Sequence, residues 1–236
     1  MKLPTIETPK YTLTLPSTKK IVEYRPFLVK EEKILLLAQE ANDHESIMTA
    51  IRDIIAACTF NKLNIDELTS YDIEYIFLKL RSKSVGEKSQ VRCRCEKCES
   101  YTPVDIDLDT IEVKWPKEKL DNTIMLTDTI GVTLKHIKIS DIKKSFSDDL
   151  ESSETLTSII IASIENIFDS ENIYSAKDSS YEELLTFINS LNRNQITKIE
   201  EYIANTPKIE HKLDFECQSC KSSNSVLLSG IQTFFE

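Results

Sequence analysis

Two Cys-x-x-Cys pairs, Cys95/Cys98 and Cys217/Cys220, carry the most specific chemistry in this chain. They stand more than a hundred residues apart, yet each sits in the same local pattern. The first reads Val91-Arg-Cys-Arg-Cys95-Glu-Lys-Cys98, and six residues on comes Val104-Asp-Ile106-Asp-Leu108. The second reads Leu213-Asp-Phe-Glu-Cys217-Gln-Ser-Cys220, and at the same offset comes Val226-Leu-Leu. Each is an alternating strand, a thiol pair at a turn and a returning strand. Two such hairpins supply four thiolates, the ligand set of a closed tetrahedral zinc site. A redox Cys-x-x-Cys belongs at a strand-to-helix junction, whereas both pairs here lie between strands. Catalytic zinc keeps an open position, which four thiolates do not leave. The expected cofactor is therefore structural Zn2+ held by Cys95, Cys98, Cys217 and Cys220. Such a site cross-links a loop of about 100 residues, worth about 4–5 kcal/mol by chain entropy.

Cys93 offers an alternative pairing with Cys98. Aligning the hairpins on Cys95 and Cys217 places Cys93 opposite Phe215, and Val91 opposite Leu213, on one side of the strands. Cys93 then acts as a small apolar residue, and Cys95 is the expected ligand.

Other chemistry is sparse. His44, His136 and His211 are scattered, and none has metalloprotease spacing. Glu31/Glu32, Glu182/Glu183 and Glu200/Glu201 are adjacent residues on expected helices, so the members of each pair diverge and read as solvated faces. Only Gly86, Gly131 and Gly230 are glycine, too few and too dispersed for a phosphate-cradling loop. No nucleophile–base constellation emerges, and no enzyme is expected. The rim of the first thiol pair is basic, with Lys88, Arg92, Arg94 and Lys97, as in some nucleic-acid-binding zinc ribbons. Against that stand a formal charge of −10 and few stacking aromatics nearby.

The bulk composition fits a soluble globular protein: 236 residues, 40 % hydrophobic and 29 % charged. No stretch approaches a membrane span, and the N-terminus lacks an apolar signal core, so the cysteines are expected in a reducing cytoplasm.

Several elements must position the thiols. Tyr11-Thr-Leu-Thr-Leu15 and Ile21-Val-Glu-Tyr24 read as a hairpin. Helices are expected from about Lys30 to Ala41, after an N-cap at Asp43, and from Thr69 or Ser70 to about Ser82. The run Ile34-Leu-Leu-Leu-Ala38 is broad enough for burial on more than one face. The second helix places Ile47, Ile51, Ile54, Ile55 and Cys58 on a core stripe, and the third does so with Tyr71, Ile73, Ile76, Phe77 and Leu80. Asn122–Leu126 and Gly131–Ile137 flank a turn and form a further hairpin. Helices are expected at Ile139–Phe146, Ser153–Phe168, Tyr181–Leu191 and Asn194–Ala204. The acidic, serine-rich Asp148–Asp178 segment reads as exposed. The fold class is α+β, mostly helical with short antiparallel hairpins and a zinc-ribbon-like site joining the middle and the C-terminus. The expected division is an N-terminal hairpin and three-helix region over 1–87 and a zinc-clasped region over 88–236, packed as one unit.

Three blocks together resemble the baseplate hub family of T-even-type myophages. They are Tyr24-Arg-Pro-Phe-Leu-Val-Lys-Glu-Glu-Lys-Ile-Leu-Leu-Leu-Ala38, Tyr71-Asp-Ile-Glu-Tyr-Ile-Phe-Leu-Lys-Leu-Arg-Ser-Lys-Ser-Val-Gly-Glu87, and the thiol pairs with the closing Gly230-Ile-Gln-Thr-Phe-Phe. The resemblance implies a phage protein made in the host cytoplasm and needed to build the hub of the tail baseplate. Its partners would be other hub proteins. It would serve as a non-enzymatic assembly factor or, alternatively, as a stoichiometric hub subunit. Arg25, Lys30, Arg81 and Lys83 are then candidates for contact with an acidic partner surface, or for tying the first two blocks to each other. Phe234 and Phe235 are candidates for partner contact or for docking within the chain.

Overall fold

The computed structural model describes residues 6–41, 44–117, 121–141 and 152–230. Contacts group the chain into two compact units. The first comprises Met1–Ile65, Tyr71–Lys114 and Lys208–Glu236, and the second Asp66–Ser70 and Trp115–Pro207. This grouping does not follow a division at residue 87. Both thiol hairpins belong with the N-terminal region, because they share a core with the third helix.

In the first unit, β1 (Tyr11–Thr14) and β2 (Ile21–Tyr24) form the expected hairpin, with Tyr11 opposite Tyr24. The helices α1 (Val29–Ala41), α2 (His44–Cys58) and α3 (Ser70–Val85) follow. Ile51, Ile54, Ile55 and Cys58 of α2 are buried, as are Tyr71, Ile73, Ile76, Phe77 and Leu80 of α3. Each large apolar side chain buried in these stripes stabilises the fold by about 1.5–3 kcal/mol. The helix α1 departs from expectation. Its buried stripe is Glu31, Leu35 and Ala38, while Ile34, Leu36 and Leu37 are exposed. One narrow stripe is all that the neighbouring elements cover. The N-cap expected at Asp43 lies outside the described residues.

Next come β3 (Lys88–Arg94), β4 (Tyr101–Asp107), a 3-10 turn (Leu108–Thr110) and β5 (Val113–Lys114). β3 and β4 pair antiparallel, with Val91 opposite Val104 and Arg94 opposite Tyr101.

The second unit holds β6 (Thr123–Met125), β7 (Gly131–Leu134), α4 (Ser152–Ser163), β8 (Ile164–Phe168), β9 (Ile173–Ser175), α5 (Tyr181–Asn189) and α6 (Arg193–Ala204). Its strands make one antiparallel sheet in the order β6-β7-β8-β9. Capping boxes start the last two helices: Ser180 with Glu183, and Asn192 with Gln195. Val132, Leu134, Ile160, Ile161, Ile164, Ile188, Ile199 and Tyr202 are among the residues of its core.

Two expectations fail in this unit. The helix expected to run to Phe168 stops at Ser163, and Ile164–Phe168 becomes an interior strand between β7 and β9. The Ser163 hydroxyl bonds to the Ile160 carbonyl at 2.6 Å while the Ser163 carbonyl accepts from Lys135 N at 2.8 Å, which takes the chain end of α4 into the sheet. The segment Asp148–Asp178 is also not exposed throughout, since Ser158, Ile160, Ile161 and Ile164 are buried. Most of the helix expected over 139–146 lies outside the described residues.

The chain returns to the first unit with β10 (Lys208–Glu216) and β11 (Ser223–Ser229), which pair with Leu213 opposite Val226. β10 also pairs with β5, so Lys208 faces Lys114 where the chain enters and leaves this unit. Leu78 of α3, Val91, Cys93 and Ile106 of the first thiol hairpin, and Leu213, Phe215 and Leu228 of the second form one core. The overall class is mixed α and β with short antiparallel sheets. It is not mostly helical, because among the described residues helices take 39 % and strands 28 %. The extra strands are β5, β8 and β9, each short and fixed by pairing rather than by its own pattern.

Candidate metal centre

Alternation along β3 and β10 places the site. Val91/Cys93 and Leu213/Phe215 point into the core, so the next inward positions, Cys95 and Cys217, fall at the tips of the hairpins. The two turns have the same backbone. Cys95 N donates to Ser100 O and Glu99 N to Cys95 O, each at 2.9 Å. Cys217 N donates to Ser222 O and Lys221 N to Cys217 O, again each at 2.9 Å. Both turns close through a left-handed residue, Glu99 at φ 60° and Lys221 at φ 58°.

The four thiols meet. Cys95 Sγ lies 3.7 Å from Cys220 Sγ, and Cys98 Sγ lies 3.6 Å from Cys217 Sγ. All four sulfurs lie within 4.8 Å of one another. Four sulfurs arranged tetrahedrally at a Zn–S distance of about 2.3 Å stand about 3.8 Å apart. The cluster therefore has the dimensions of an ion-binding cage, and all six cysteines of the chain are free thiols. Cys93 is outside the cluster, buried in the core, where burial raises its thiol pKa.

Two of the sulfurs, Cys217 and Cys95, are biased toward the thiolate. The backbone N–H of Cys220, the Ser100 hydroxyl and the Ser219 N–H pull Cys217 down to about 5. The Ser222 hydroxyl and the N–H groups of Cys98 and Lys97 pull Cys95 down to about 7. Cys98 moves the other way: its bonds to Ser100 act downward, but contact with Cys220, desolvation and contact with Cys217 raise it. Such a set of sulfurs could hold a soft or borderline divalent ion, and four protein ligands would leave no position for substrate.

The remaining candidates lie elsewhere. Arg25 Nη2 pairs with Glu31 Oε1 at 2.8 Å, and Lys30 Nζ approaches the same oxygen at 3.3 Å. Lys83 Nζ lies 2.6 Å from both Glu87 Oε1 and Asp109 Oδ2. Arg81 is half-buried on α3, and burial lowers its pKa. The two sequence blocks carrying these cations are tied to each other by Phe27 N, which donates to Ser84 Oγ at 2.8 Å. Phe234 and Phe235 lie outside the described residues. His211 sits on β10 and His136 after β7, neither in the thiol cluster.

Ser100 and Ser222 are residues that the cysteine spacing alone does not bring to notice. Ser100 Oγ lies 3.0 Å from Cys98 Sγ and 3.3 Å from Cys217 Sγ. Ser222 Oγ lies 3.0 Å from Cys220 Sγ and 3.3 Å from Cys95 Sγ. The signal is present in the sequence: a serine stands two residues after the second cysteine of each pair.

The fold and the cluster define a mixed α and β protein with two matching thiol hairpins closed on one four-sulfur site. Residues 8–236 match the family described as T4 bacteriophage base plate protein, and the chain belongs to that family. No curated protein and no solved structure matches the chain. Among the described residues, no helix is long and apolar enough to cross a membrane.

Proposed function

We propose that this chain is an assembly factor of the tail baseplate hub. It works by binding other hub proteins in the host cytoplasm, without catalysis, and structural Zn2+ at Cys95, Cys98, Cys217 and Cys220 holds its shape. The observation that carries the reading is the apolar run of α1, within a protein of a baseplate family. Val29 and Leu37 are each 66 % exposed and Leu36 52 % exposed, on a helix whose opposite stripe is buried. Exposed apolar side chains on an otherwise packed helix support a protein-binding role. Lys30, at the start of the same helix, also approaches Glu31 but keeps 70 % of its side chain exposed and so can meet an acidic partner, while Arg25 and Lys83 tie the chain internally.

Mass spectrometry of purified virions and of infected-cell lysate tests the assembly role. The assembly reading expects the chain in the lysate and its absence from virions. Stoichiometric presence in virions favours the alternative, a structural subunit of the hub, which family membership serves equally well. Leu36→Asp with Leu37→Asp is expected to keep the melting temperature and to lose capture of hub proteins in pull-down.

A further inference from the structure

We propose that Ser100 and Ser222 are positioning residues of the thiolate centre, each donating its hydroxyl hydrogen bond to the buried thiolate of the opposite hairpin. The inference rests on the four-thiolate reading of the site. Four thiolates around a divalent ion keep a net double negative charge, which must be met by hydrogen-bond donors or water. Water reaches only part of this cage. Cys98 is exposed and Cys220 partly so, whereas Cys95 and Cys217 are each 0 % exposed.

Each serine has one hydroxyl proton and two sulfurs in reach, one on its own hairpin at 3.0 Å and one on the other at 3.3 Å. Thiolates only accept, so in the charged site the serines must donate. The sulfur of the same hairpin is the one that water can solvate. The sulfur across the gap is closed to water and has only the backbone N–H groups of its own turn as further donors, so a hydroxyl donor lowers the cost of its charge more than that of the solvated sulfur. The hydrogen bonds therefore go across, from Ser100 to Cys217 and from Ser222 to Cys95.

A second exchange with the same symmetry holds the serines in place. Glu96 N donates to Asn224 Oδ1 at 3.1 Å, and Gln218 N donates to Thr102 Oγ1 at 3.2 Å. Both acceptors stand two residues past a serine, and both donors stand one residue past a first cysteine. Each hairpin thus docks its turn on the other and completes the other's anion site. The arrangement makes metal affinity a property of the pair of hairpins rather than of either alone.

The test uses the full chain with Zn2+ and Co2+ as probes, in wild type, Ser100→Ala, Ser222→Ala and the corresponding Thr variants. Ser223→Ala, an exposed serine at the start of β11, is the control. Zinc affinity is read by competition with a chromophoric chelator, and the sulfur-to-cobalt charge-transfer band reports on the thiolates. Each Ala variant is expected to bind about 10-fold more weakly or worse and to shift the band. The Thr variants, which keep the hydroxyl, and Ser223→Ala are expected to behave as wild type. Unchanged affinity and spectrum in both Ala variants, with wild type binding one ion, would overturn this inference alone. A wild-type chain that takes up neither ion would overturn it together with the four-thiolate reading.

Discussion

Removing the metal should lower the stability of the first unit by an amount set by the separation of the hairpins. Cys98 and Cys217 are 119 residues apart in sequence. In the unfolded chain, gathering four ligands requires closing that loop, at a cost of about 5 kcal/mol in the chain-entropy model. In the folded chain the strand ladder between β5 and β10 and the core shared by both hairpins already hold the ligands side by side. The ion therefore binds the folded form more tightly by about the same 5 kcal/mol, and by linkage stabilises it by that amount when it saturates both forms. At about 2–4 °C per kcal/mol, chelation under reducing conditions should lower the melting temperature by about 10–20 °C. The assay is thermal unfolding followed by circular dichroism, before and after chelation and after zinc is returned. Equal melting temperatures for the two forms would mean that the ion does not distinguish the folded from the unfolded chain.

Three further perturbations probe the surrounding fold. At Gly131, a Cβ would stand 2.3 Å from Phe168 Cζ and 3.0 Å from the Ile124 carbonyl oxygen. Gly131→Ala should therefore destabilise the chain by about 1–3 kcal/mol, and adding Phe168→Ala should recover part of the loss in denaturant unfolding. Burial raises Glu74 from 4.5 to about 7, with the Ile209 N–H bond acting against it. The fold thus favours the neutral acid, and stability is lost as pH rises from the unfolded value through about 7. Glu74→Gln should stabilise the chain at pH 8 by at most about 3 kcal/mol, and should do nothing at pH 4, as read from melts at the two pH values. Glu31 is 3 % exposed and accepts from Arg25 Nη2 and Leu28 N, each at 2.8 Å. Glu31→Ala leaves the Arg25 guanidinium buried without this carboxylate and should cost about 3–5 kcal/mol; a neutral result in equilibrium unfolding would remove Arg25 from the internal framework.

The site was more legible than the fold around it. Matching Val91/Cys93 with Leu213/Phe215 sufficed to separate Cys93 from Cys95, because strand alternation is strict and the two hairpins repeat each other. The helices of the first unit were readable for a related reason: α2 and α3 each carry one apolar stripe at helical spacing. The strand β8 was not readable. Ile164-Glu-Asn-Ile-Phe168 continues the apolar run of α4, and periodicity alone does not separate a short buried strand from the end of a buried helix. β5 and β9 are fixed by partners distant in sequence or by a sheet edge, neither of which leaves a local pattern. The exposure of Ile34, Leu36 and Leu37 was equally hidden, since hydrophobicity reports what a helix can bury and not what its neighbours cover. Ser100 and Ser222 were in plain view as a repeated spacing, but a serine near a cysteine signifies little until the sulfur of the other hairpin is placed beside it.

Two distant hairpins are predicted to share one metal ion. Metal content by mass spectrometry, on freshly purified wild type, Cys95→Ser and Cys217→Ser, checks this. The expected result is one zinc ion per wild-type chain and its loss in either single variant, since each removes one ligand of the same closed site. Wild-type protein without metal, or a variant pair in which only one loses it, would contradict a shared site.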